Sequence, residues 1–517
     1  MPSLSPHFLS PGVFLFLFFN LCVCVRARVC VCVCRALSGC LLARYVFDKK
    51  RRLERRIEAH GDAVHSLHVS ADGETLVSGG ADGSVRTWDT DLVAMQTYDS
   101  HEWGTHDACV RSVFVRDDGS MVVGTAGADI FEVSPSGECD MVATGHFWGE
   151  TWGLATHPHK HLFATAGDDG MVRTWALDGH VPQRSVKVAG LVRALAFNPD
   201  GAHLAIGMGG RLGGDAYVES PQGAWRVLDA DTLDTLAEGH DATKWIQVMK
   251  YSPDGATLAV GSHDCKVYLY NALDGYTLRT TLEGHSSFIT HMDFTGDARF
   301  LQTTSGDYEL LFWDVATGAQ RTNGGAELRD AEWASWTVPF GWPMQGIWPK
   351  FADGTDINSA AVSHNGRVVA TADDFGLVKL FGFPAPRKGW AHDTYRGHSS
   401  HVMGCRWLAG DAALVTVGGH DRGVFVWRAL EFEAEVTEVG DTVVGACIMC
   451  GWVLGCVQCC RSACCAACPC AKCMCRAAVT LLTVCVSVFV DGGVRAVVAV
   501  YCWVAYTIPH SGRCCGG

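Results

Sequence analysis

The chain has 517 residues, 48% of them hydrophobic and 19% charged, with 55 acidic residues against 41 basic ones and 25 cysteines. Residues 1–45 and 434–517 together hold four acids and nine bases, which leaves 51 acids against 32 bases between them, a net charge of −19. A surface that acidic repels phosphate backbones, so nucleic acid is excluded as the expected partner.

Cysteine usage divides the chain. Six cysteines lie between Cys22 and Cys40 and fifteen between Cys447 and Cys515; only Cys109, Cys139, Cys265 and Cys405 fall in the acidic stretch. Four scattered thiols fit a reduced, intracellular domain in which they act as small buried hydrophobes. No Asn-x-Ser/Thr sequon occurs. The apolar run Gly12–Val25 resembles a signal-peptide core or short anchor, but it lacks a basic leader and a small-x-small cleavage site. It passes into a Cys-Val and Arg-Ala alternation of the kind that TG and CG dinucleotide repeats give on translation. Residues 1–45 are therefore expected to be an unfolded low-complexity segment, with residues 1 to about 42 a translated non-coding repeat rather than a targeting signal. The run Lys49–Arg56 then sets six bases beside the acidic domain. It reads either as a solvated strand edge or as an import signal or contact for an acidic partner.

A repeat begins at residue 60. His60 leads to Trp88, His146 to Trp175, His240 to Tyr270, His285 to Trp313 and His398 to Trp427. An Asp stands six residues before each aromatic: Asp82, Asp169, Asp264, Asp307 and Asp421. This spacing marks four-stranded blades of the WD-repeat kind. In the first repeat, strands at 63–69 and 75–78 are joined by Ser70-Ala-Asp-Gly73, and Ala81-Asp-Gly83 turns the chain into a third strand ending at Trp88. Weaker repeats occupy 101–145, 189–238 and 326–396. Eight repeats predict an all-β fold over 46–433, a β-propeller of seven or eight four-stranded blades with unstructured or low-complexity flanks. Leu53–Ala59 or Leu430–Thr437 would supply the closing outer strand.

The recurring polar residues are expected to form buried hydrogen-bonded quartets, as in other WD-repeat blades. The full sets are His60, Ser78, Asp82 and Trp88; His146, Thr165, Asp169 and Trp175; and His285, Thr303, Asp307 and Trp313. Two are partial: His240, Asp264 and Tyr270, with Val260 in the hydroxyl position, and His398, Asp421 and Trp427, with Val417 there. A Ser-His-Asp catalytic set occurs once in an enzyme, whereas these sets recur, so no catalytic residue is expected. Asp374-Phe-Gly376 lacks the partner motifs of a kinase, and Gly207–Gly213 has no helix after it to make a dinucleotide loop. The tail 434–517 holds Cys-x-x-Cys pairs at 447/450, 456/459, 465/468 and 470/473, but at such density the spacing arises by chance. A Cys-rich low-complexity tail is expected, with no metal, no cofactor and, since Asp491 and Arg495 interrupt Val479–Tyr506, no membrane span.

Longer strings carry a closer likeness. Gly284–Phe294 (GHSSFITHMDF), Ser305–Asp314 (SGDYELLFWD), Asp353–Asn358 (DGTDIN), Ala372–Phe381 (ADDFGLVKLF) and Gly397–Val402 (GHSSHV) resemble the C-terminal propeller of the echinoderm microtubule-associated protein-like family. Gly153–Pro158 and Gly261–Asp264 match as well, and the region spanned is about three-quarters of the chain. The resemblance implies a pair of propellers that binds tubulin, preceded by a basic region and a trimerising coiled coil. Neither a heptad segment nor a first propeller is read here, so soluble tubulin or another cytoskeletal protein is the expected partner. The expected function is a non-enzymatic scaffold of the cytoplasm and cytoskeleton, with cilium or flagellum as one setting. A WD-repeat adaptor in a ciliary or ubiquitin-ligase complex is the alternative, and a membrane-attached protein a third.

Overall fold

The computed structural model describes residues 19–26, 29–34, 41–46, 52–177, 179, 181–212, 218–349, 352–432, 445–454, 482–490 and 493–502. They form a succession of antiparallel sheets, most of four strands, each made from one consecutive stretch of chain. Hairpin follows hairpin because alternating apolar residues are punctuated by Asp-Gly turns. Gly83, at such a turn, takes up φ of +76°, and Gly376, after Phe375, takes up +74°, a conformation that burdens any residue with a Cβ. Burial falls from the middle of a sheet to its last strand. Leu76–Gly80 is buried throughout, whereas Ala94–Asp99 is almost wholly exposed.

The chain forms two compact units, one built on residues up to Trp148 and the other chiefly on Gly149–Leu177 and Arg184–Val453. The expected propeller of 46–433 spans both, its eight repeats dividing two and six. In the first unit, Val64–Val69 opens one repeat sheet and Val110–Val115 the next. Residues expected to be unfolded also take part: Phe19–Arg26, Val29–Cys34 and Leu41–Val46 pair with Arg52–Glu58 in a four-stranded sheet. The Cys-Val alternation that marks low complexity has the period of two and the β-branched content of a strand. Arg52–Glu58 is thereby an edge strand of that sheet and does not complete a later repeat.

In the second unit six sheets follow one another, each packing against the first strand of the next. Gly153 lies against Leu195, Gly207 against Ile246 and Gly261 against Ile289. His291 reaches the Asn358 carbonyl, and Cys405 N–H donates to Ser359 Oγ. The circuit then closes, because Gly404 in the last sheet lies against Leu154 in the first. Residues 335–338 of the insertion after the fourth of these sheets are pinned by Asp293, which is fully buried. Its carboxylate accepts from Lys250 Nζ at 2.8 Å, Ser335 Oγ at 2.6 Å, and the Thr337 and Val338 N–H groups at 2.6 and 2.9 Å. Tail strands Gly445–Leu454, Leu482–Val490 and Gly493–Cys502 extend the sixth sheet. Cys447 and Cys450 lie on the first of them, while 456 to 473 lie outside the described residues. Among the described residues, no helix is long and apolar enough to cross a membrane.

Candidate interaction site

The first quartet is complete. Trp88 Nε1 donates to Ser78 Oγ at 2.8 Å, and Ser78 Oγ lies 2.8 Å from His60 Nε2. His60 Nδ1 lies 2.9 Å from Asp82 Oδ1. A carboxylate only accepts, so Nδ1 carries the proton and Nε2 takes the serine hydrogen. Burial lowers the His60 pKa against the pull of Asp82, keeping the imidazole neutral. Burial would raise the Asp82 carboxyl, but donation from Gly61 N, His60 and Ser84 outweighs it and holds the pKa at about 2.

The other sets vary on this theme. Trp313 donates to Thr303 at 2.8 Å and Thr303 lies 2.6 Å from His285, but His285 Nδ1 contacts Ser305, and it is Ser305 that donates to Asp307. The ligand atoms of His285, Asp307 and Glu309 lie within 4.8 Å of one another; the relay holds His285 and Asp307 there, and Glu309 accepts from Ser286. Trp175 donates to Thr165 at 2.8 Å, and Asp169 pairs with Arg173. His146 is buried in the first unit.

The set at 398 is complete, although its spacing predicted otherwise. Trp427 donates to Thr416 at 2.9 Å, Thr416 lies 2.8 Å from His398, and His398 lies 3.1 Å from Asp421. The hydroxyl is Thr416 rather than a gap at Val417, because the turn before Asp421 is one residue longer than in the first repeat. The set at 240 is not assembled. His240 is exposed and turns to the Gln222 carbonyl. Tyr270 donates to Asp241 and Asp264 accepts from Tyr268, each at 2.8 Å. With Val260 in the hydroxyl position there is nothing to relay from an aromatic to the imidazole. Residues 101–145, where no set was predicted, hold a hydroxyl version: Thr105 and Thr144 each donate to Asp129 at 2.5 Å.

These networks are internal; the surface open to a partner lies elsewhere. In the second unit a cavity of about 660 Å³ opens where the first strands converge. Each of those six strands carries a β-bulge near its start. The residues skipped by the pairing are Trp152, Arg193, Gln247, Thr290, Asn358 and Met403, and all six line the cavity. A bulge re-aims one side chain, and here it does so six times toward one space. Arg193 sits over Trp152 at 4.2 Å and Trp245 at 4.5 Å, and pairs with the buried Asp168 at 3.1 Å. Trp245 stacks on His263 at 3.5 Å, and His263 on Phe288 at 4.3 Å. Burial, then the charges of Arg193 and Lys244, push the His263 pKa down to about 4. On the rim, His401 and His420 lie 3.5 and 3.0 Å from Glu150.

Repeated four-stranded sheets closed by Trp-hydroxyl-His-Asp networks define a WD-repeat β-propeller protein, and a WD-domain repeat model matches residues 51–89. The model of the echinoderm microtubule-associated protein second β-propeller matches residues 151–429, more than half of the chain. The chain belongs to that family of microtubule-associated WD-repeat proteins. Echinoderm microtubule-associated protein-like 2 of Homo sapiens is 39% identical over 376 residues, covering 72% of this chain and 55% of the relative. Echinoderm microtubule-associated protein-like 3 of Mus musculus is 37% identical, covering 72% and 40%. For protein-like 4 of Xenopus tropicalis the figures are 35%, 73% and 39%. The chain thus spans about half or less of these relatives. No enzymatic family is indicated.

Proposed function

We propose that this protein is a non-enzymatic scaffold of the cytoplasm and cytoskeleton that binds tubulin through the propeller. The observation that carries the reading is the match of residues 151–429 to a propeller of microtubule-associated proteins. The networks support its non-enzymatic half. His60, His285 and His398 each engage both ring nitrogens within their own repeat, which leaves none of them free as a general base. The test is co-elution of the purified full chain with unpolymerised tubulin at micromolar concentration. Co-elution is expected; its absence would overturn tubulin as the partner.

A further inference from the structure

We propose that the cavity of the second unit receives an arginine- or lysine-bearing segment of a protein partner. This deepens the scaffold reading and rests on it in taking the occupant to be protein. The column of planar groups argues for the cation. It runs from Trp245 through His263 to Phe288, and a guanidinium is already held near one end, in the corner between Trp245 and Trp152, whose planes cross at 80°. At the other end Phe288 remains 36% exposed, and Tyr308, also a lining residue, is 48% exposed. Tyr308 packs edge-on to Phe340 at 6.1 Å, so the far wall is aromatic too. Rings fixed by their neighbours with a face left to solvent suit a cation, which draws on the negative ring face.

Charge on the page agrees. Arg193 is neutralised by Asp168. Glu150 faces His401 and His420, which leaves exposed Asp374 as the freer lining carboxylate, with Oδ1 accepting from Asn358 at 2.7 Å. Arg406 stands where this cavity meets a smaller one, its Nη1 donating to Ser359 Oγ and the Cys405 carbonyl. Positive charge at that inner point holds an incoming cation at the mouth, between the aromatic faces and Asp374. The repeat region carries a net of −19, so a basic segment is also favoured at long range.

The probe is a phage-displayed library of random dodecapeptides, panned on the full chain. Selected peptides are expected to carry Arg or Lys. Their affinity is expected to fall by roughly twofold to fivefold for Phe288→Ala or Tyr308→Ala, and on the order of tenfold for the pair. Tyr308→Ala alters a half-exposed turn residue, and an unchanged melting temperature shows that the fold survives. Asp374→Asn is expected to weaken the same peptides. Selection of peptides without a basic residue, selection of none, or binding unaffected by all three variants would overturn the inference. Tubulin co-elution separates the two readings. Tubulin retained without cavity-dependent peptides sinks the cavity alone; such peptides without tubulin sink the tubulin partner alone.

Discussion

At the level of single residues, the networks at His60, His285 and His398 are relays in which one hydroxyl serves two partners. Thr416 accepts from Trp427 and meets His398, and it is fully buried. Thr416→Val should leave both groups unpartnered and lower stability by about 1–3 kcal/mol in urea titration, with Thr416→Ser recovering most of the loss. Counting ten residues back from Trp427 finds Val417, because the first, second and fourth sets keep that interval and the last does not. Spacing identified the imidazole, carboxylate and indole there but could not reveal an extra turn residue. His263 gives a pH prediction. Its folded pKa of about 4 lies below the ordinary 6.5, so below pH 6.5 the unfolded chain takes a proton that the folded one refuses. The melting temperature should therefore fall between pH 6.5 and 4, and fall less steeply in His263→Phe, as differential scanning fluorimetry would report.

For strands and insertions, the bulges decide what a partner meets. Alternation in the sequence marks where strands run, but a bulge shifts one residue out of phase without a compositional sign, so Trp152, Arg193 and Asn358 gave no hint of a shared cavity. The insertion was legible only as an interruption before Val368. Its anchor, Asp293, meets donors 42 to 45 residues away at Ser335, Thr337 and Val338, a distance no local pattern carries. Asp293→Ala leaves Lys250 without its counter-ion and frees the 335–338 backbone. Buried pairs broken on one side lose about 3–5 kcal/mol. Amide exchange at Thr337 and Val338 should accelerate by more than that at Leu301, and equal acceleration would mean that the segment is held by something else.

Across the whole molecule, the repeat count was legible, since eight anchors or near-anchors stand out. Their division into two and six was not, because neighbouring repeats carry the same grammar on either side of residue 148. Closure of the six-sheet circuit depends on a small residue. A Cβ on Gly404 would meet Val417 at 3.0 Å and Leu154 at 3.3 Å, so Gly404→Leu should force the first and last sheets apart. A loss of about 1–3 kcal/mol is expected, read as an earlier unfolding midpoint, and no change would show that the contact is loose.

That closure has a consequence for how the unit yields. Among the described residues, no strand is lent from one end of the six repeats to the other. The joint between first and last sheets consists of packed side chains, the contacts of Glu150 with His401 and His420, a bond from Arg428 to the Leu177 carbonyl, and one long backbone bond, from Thr151 N–H to the Gly419 carbonyl at 3.4 Å. A wheel assembled this way has no clasp: prising two neighbouring spokes apart tears no ladder, so its breathing modes run along the seams and leave each spoke whole.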